Sequence, residues 1–167
     1  ISKALAGNHT DFDFRDSKVV AGEQNITVGE HGTHVTGTLL GAGRLDDRRR
    51  GVAPSASAVG FVAAASESEL EEETNKTINT YGGVVSQNSW GFGVSCNSGV
   101  GNYTLLADSY AEYISNRSAD VNGSITTVFA VGNARFSCLQ NYNPTIPPET
   151  TKNVQAVARV RNATDTR

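Results

Sequence analysis

Glu30-His31-Gly32-Thr33-His34-Val35-Thr36-Gly37-Thr38-Leu39-Leu40 sets two histidines beside an apolar set formed by Val35, Leu39 and Leu40. His31, Val35 and Leu39 recur every fourth residue, the spacing of one helix face. The pattern predicts a helix within the glycine-flanked segment 29–43. Gly37 lowers helix propensity but allows a close backbone approach, so a buried helix is expected. His31 then stands near the helix start, with Val35 and Leu39 on the turns behind it.

Outward from this segment the chain alternates strand and helix patterns. Upstream, residues 1–6 read as the end of a helix, the Asn/Asp-rich residues 8–16 as a loop, and 19–24 as a short strand. Downstream, 51–54 form a turn. Residues 58–65 make an apolar run without alternation, the pattern of a strand buried on both faces. Residues 68–81 predict a helix whose inner face carries Leu70, Thr74, Ile78 and Tyr81, with glutamates near its start favouring the helix dipole. Gly82 and Gly83 supply the stop. Residues 84–88 read as a strand running into Ser89-Trp90-Gly91, 93–102 as a polar loop, and 103–117 as an amphipathic helix carrying Leu106, Tyr110, Tyr113 and Ile114. Residues 125–131 and 154–160 read as further strands, separated by a loop containing Pro144, Pro147 and Pro148. Strand–helix–strand order predicts a three-layer α/β fold with a mostly parallel sheet, residues 1–167 forming one domain.

Bulk composition narrows the function classes. Fourteen basic against seventeen acidic residues leave a net charge of -3. Arg48, Arg49 and Arg50 cluster, but Asp46 and Asp47 adjoin them and no wider basic surface follows, so a solvated turn is expected and not a nucleic-acid site. No apolar run approaches the roughly 18 residues needed to span a membrane. Cys96 and Cys138 are too far apart for a Cys-x-x-Cys redox site. A bridge between them, two free thiols, or bridges to other segments all remain open. Seven Asn-x-Ser/Thr triplets begin at Asn8, Asn25, Asn75, Asn102, Asn116, Asn122 and Asn162. Their abundance favours glycosylated surface loops and a secreted or extracellular protein; unmodified triplets in an Asn/Ser/Thr-rich chain are the alternative.

Four motifs in order carry a family likeness. His31-Gly32-Thr33-His34-Val35-Thr36-Gly37-Thr38 resembles the His-Gly-Thr-His-Val-Ala-Gly-Thr signature of the subtilisin-like serine proteases, with Thr36 in place of the usual Ala. Gly51-Val52-Ala53-Pro54 matches a second marker. Ser89-Trp90-Gly91 resembles the family's substrate-edge segment, and Val131-Gly132-Asn133, after an apolar strand, its oxyanion segment. The resemblance implies a subtilisin-like fold, incomplete at both ends because the motifs span only part of a catalytic domain.

By that resemblance His31 is the general base, and Asn133 the amide that donates to the oxyanion; a simpler role for Asn133 is to cap a turn. Ser89, Trp90 and Gly91 form the edge that takes an extended peptide or protein substrate, although Trp90 also suits plain core filling. Val131 and Gly132 line the primary pocket, whose small apolar character implies a broad or hydrophobic preference. His34 belongs to the signature without acting as base, and the His31/His34 pair finds no third zinc ligand, so no metal site is expected. No organic cofactor is implied; calcium is common in the family, yet no complete oxygen-ligand loop is assigned here. The family order is Asp, His, Ser. Asp11, Asp13 and Asp16 lie in a polar loop instead of ending an apolar strand, and Asn8-His9-Thr10-Asp11-Phe12 resembles the stretch just after the family's acid. The resemblance therefore expects the acid before Ile1 and the nucleophile beyond Arg167. A complete parent would be a serine endopeptidase, and residues 1–167 alone would be inactive; a non-catalytic peptide-binding fragment is the alternative.

Overall fold

The computed structural model describes residues 11–12, 19–22, 29–64, 66–91, 112–113, 124–131, 151 and 153–158. They fall in two compact units, Ile1–Gly83 and Val84–Arg167. Among the described residues every strand pairing is parallel, and an α-helix lies between the two strands of the first unit, so the chain is α/β.

In the first unit, strand β1 (Val19–Ala21) pairs with β2 (Ala58–Gly60) in the register Val19↔Ala58 to Ala21↔Gly60. Between them lie helix α1 (Glu30–Leu40) and a single 3₁₀ turn, Asp47–Arg49. Helix α2 (Glu67–Asn79) follows β2. The apolar run expected as a strand over 58–65 is in strand geometry only to Gly60, and Ala58, Val59 and Gly60 are half-buried. Their half-burial shows that β2 does not have the doubly covered setting that unbroken hydrophobicity suggested.

Helix α1 has Gly29 as a cap without a side chain to offer. Its buried residues are Thr36 and Leu40, one position on from the predicted His31/Val35/Leu39 stripe, which is only partly covered or exposed. A Cβ on Gly37 would meet nothing within 4 Å among the described residues, so the close approach expected there is not made within this unit. The polar face corrects itself locally: Thr33 Oγ1 donates to the Gly29 carbonyl at 2.9 Å and Thr38 Oγ1 to the His34 carbonyl at 3.1 Å.

The last carbonyls of a helix lack intrahelical partners. In α1 they are met by the segment after the 3₁₀ turn. Gly51 N–H donates to Gly41 O at 2.7 Å, Val52 N–H to Thr38 O at 3.2 Å and Ala53 N–H to Leu39 O at 2.7 Å. This returning segment lies against helix backbone, and a Cβ on Gly51 would stand 2.6 Å from Gly41 N and 2.7 Å from both Leu39 C and O. No side chain can swing away from such a clash. Gly51→Ala is therefore expected to lower unfolding free energy by about 1–3 kcal/mol, the usual cost of overfilling a fitted site. An unchanged urea midpoint would remove Gly51 from this role.

The 3₁₀ turn is an exposed feature. Asp46 accepts from the Arg48 backbone at 3.1 Å and pairs with the Arg48 and Arg49 side chains, with Arg48, Arg49 and Arg50 all open to solvent. Hydrogen bonds from Arg48 hold the Asp46 carboxyl below its ordinary range.

Helix α2 starts where Ser66 Oγ accepts from Glu69 N–H at 3.2 Å, an N-cap bond. Leu70, Thr74, Thr77 and Ile78 are buried, as the i, i+4 pattern from Leu70 requires, whereas Tyr81 lies beyond the helix and is exposed. Gly82, at φ 64°, supplies the left-handed residue of the stop, with Gly82 N–H donating to Ile78 O at 3.1 Å. Lys76 Nζ reaches the Gly22 carbonyl, tying α2 to the end of β1.

Among the described residues of the second unit, three strands form a sheet in the order β3 (Val85–Asn88), β4 (Thr126–Ala130), β5 (Gln155–Val157). Phe129 is wholly buried. Of the helix predicted over 103–117, the described residues are Glu112 and Tyr113, both helical. Thr127 is 1% exposed, and its hydroxyl has no hydrogen-bond partner among the described residues. A buried hydroxyl without a partner costs about 1–3 kcal/mol. Thr127→Val, of the same shape, is expected to hold or raise the urea midpoint; a clear fall would show that the hydroxyl is bonded.

Candidate active site

His31 is the second residue of α1 and is exposed, as is His34 one turn on. A helix start places a side chain on the rim of a fold instead of within it. The far end of α1 is where Asp11 is spent: its Oδ1 accepts from Arg44 N–H at 3.0 Å and its carbonyl from Ala42 N–H at 3.1 Å. Helix rise puts that region roughly 15 Å from His31. Asp11 thus serves as an anchor for the loop leaving the helix. Asp13 and Asp16 lie outside the described residues. Among the described residues no group of three or more His, Cys, Asp or Glu side chains converges to hold a metal ion.

In the second unit Ser89, Trp90 and Gly91, expected from the resemblance to form the substrate edge, follow β3 directly. The period of two along a strand sorts side chains onto opposite faces. Ser86, Asn88 and Trp90 share one face: Asn88 Nδ2 donates to Ser86 Oγ at 2.9 Å, and Trp90 Nε1 donates to Asn88 Oδ1 at 3.1 Å. Gln87 and Ser89 share the other, with Gln87 Nε2 donating to Ser89 Oγ at 2.6 Å. Asn88 also donates to the Val128 carbonyl of β4 at 3.3 Å. Trp90 meets Phe129 edge-on, ring centroids 5.6 Å apart at 74°. Trp90 is half-buried, and Gly91 is exposed.

Val131 leaves β4 as Trp90 leaves β3, and its N–H donates to Val157 O at 3.0 Å. The register Asn88↔Phe129 brings both exits to the carboxyl ends of neighbouring parallel strands. Open α/β sheets bind ligands in the crevice outside those ends. Gly132 and Asn133 come next in the chain and lie outside the described residues, as do Cys96, Cys138 and the triplets at Asn8, Asn25, Asn102, Asn116, Asn122 and Asn162. Asn75 is described: it is exposed on α2, and its amide oxygen accepts from Asn79 Nδ2 at 2.6 Å.

Sequence reasoning passed over Asn88. Its signal was available: an amide at the last strand position, two residues before a tryptophan, must share a face with it.

The profile of the subtilase family matches residues 3–167. The chain belongs to the subtilase family. No curated protein matches it. Subtilases are serine peptidases acting on proteins, and the α/β architecture with parallel strands is the subtilisin-like one. None of the subtilase's described helices is long and apolar enough to cross a membrane.

Proposed function

We propose that these residues supply the general base and the oxyanion donor of a secreted serine endopeptidase, with the acid and the nucleophile contributed by sequence flanking 1–167. The observation that carries the reading is His31 within the His-Gly-Thr-His signature, exposed on the first turn of α1 in a member of the subtilase family. His31 takes the serine hydroxyl proton as the oxygen attacks the scissile carbonyl. The tetrahedral oxyanion accepts from the Asn133 amide. Collapse breaks the peptide bond, with His31 returning the proton to the departing amine and leaving an acyl-enzyme. Water, deprotonated by the same imidazole, then releases the acid product and regenerates the serine. No organic cofactor takes part.

An extended peptide adds along the β3 exit, where Gly91 leaves room for its backbone and Trp90 offers an apolar wall. Val131 and Gly132 bound the primary pocket and favour apolar side chains. Secretion is supported by the density of glycosylation triplets and by the habit of the family. At Asn75 a glycan would have to be attached before α2 closes, because Thr77 is buried and its hydroxyl donates to Glu73 O at 2.7 Å.

The test is labelling of the full-length protein by a serine-directed phosphonate. A stoichiometric adduct on a serine beyond Arg167 is expected. A folded protein that binds peptide yet takes no label would instead be a non-catalytic peptide-binding subtilase.

A further inference from the structure

We infer that Asn88 is a positioning residue of the substrate edge, fixing the Trp90 indole so that its one polar group points away from the peptide. The inference rests on residues 89–91 being that edge.

Asn88 is 7% exposed and bonds in three directions. An indole N–H only donates and a backbone carbonyl only accepts, so the amide has a single arrangement that satisfies both. Its oxygen must face Trp90 Nε1 and its nitrogen must face Val128 O, as found. That bond to β4 makes the side chain a strut between two strands and not merely a partner to its own. Phe129, wholly buried, meets the indole edge-on and adds a packing contact to the hydrogen bond. Two independent restraints therefore hold a half-buried ring at the exit of β3.

The consequence is chemical. With its N–H committed to Asn88, Trp90 presents a peptide with carbon surface alone, which suits bulky apolar side chains and gives a polar one nothing to bond. Were the indole free to rotate, the edge would offer a donor and a shifting shape. Ser89 is held separately by Gln87 on the opposite face, so the effect of Asn88 belongs to Trp90.

The full-length protease is assayed with peptides bearing a bulky apolar or a polar residue at the position that Trp90 contacts. Asn88→Ala is expected to raise KM for the apolar peptide about tenfold, the worth of one lost bond, with kcat within about threefold of wild type. The preference between the two peptides narrows accordingly. Emission from Trp90, obtained by subtracting the spectrum of Trp90→Phe, shifts to the red. In the Trp90→Phe background, which has no indole N–H, the same substitution moves KM less than about threefold. Asn88→Ser provides the same comparisons should the alanine variant not fold. An unmoved emission spectrum overturns the inference through the clamp. An emission shift with KM unchanged for every peptide overturns it through the edge assignment. An equal KM rise in both backgrounds shows a general loss of sheet structure and overturns it as well.

Discussion

Replacing His31 with Ala is expected to lower kcat of the intact subtilase by about a million-fold, the loss measured when the base of a subtilisin is removed alone. KM moves little, because the imidazole contributes to the reaction step more than to substrate binding. His31 is exposed, so its truncation uncovers no core and the urea midpoint stays at its wild-type value. His34 does not rescue the variant. Side chains three apart on a helix sit about 5–6 Å from one another, beyond the roughly 2.6–3.2 Å at which a base takes a proton. His34→Ala, by the same geometry, retains most of its turnover. The pair of variants is checked by steady-state kinetics with one peptide. Should H31A keep more than a hundredth of wild-type kcat, His31 would not be the base.

Asn133→Ala gives the second large effect, a fall in kcat of about 100–1,000-fold, a magnitude established on the corresponding donor of a subtilisin. In the proposed role the amide bonds an oxygen that carries its full charge only in the tetrahedral state. Its removal therefore raises the barrier without weakening the Michaelis complex, and KM remains close to wild type. A raised KM at constant kcat would assign Asn133 to ground-state binding, and unchanged values of both would leave it a turn cap.

The sequence made α1 and α2 legible through helical spacing, and β3 and β4 as short strands leading into Ser89-Trp90-Gly91 and Val131-Gly132-Asn133. Leu70, Thr74 and Ile78 recur at helical spacing and are buried where the spacing puts them. The stripe on α1 was misplaced because periodicity finds a face but not its covering. Thr36 is polar by type and buried by position, whereas Val35 and Leu39 are only half-covered within their unit. Strand β2 was drawn too long for a related reason: residues 61–65 remain apolar after the ladder ends, and composition cannot mark where a hydrogen-bond partner stops. Among the candidate residues, His31 and the two strand exits were readable as motifs. The bonds that hold the substrate edge were not, since Asn88 acts through Val128, forty residues away in the chain. Such contacts become visible only once the register of β3 on β4 is known.

The bond from Gly51 N–H to Gly41 O has an engineering consequence. It pinches residues 42–50 into a loop with a fixed stem, and the stem, not the apex, touches the helix that carries His31. Extending such a loop costs little, about 0.6 kcal/mol for each doubling of its length. Leu45, 99% exposed, marks the apex as an insertion point where a peptide tag or a small foreign domain can be grafted while the histidine helix keeps its place.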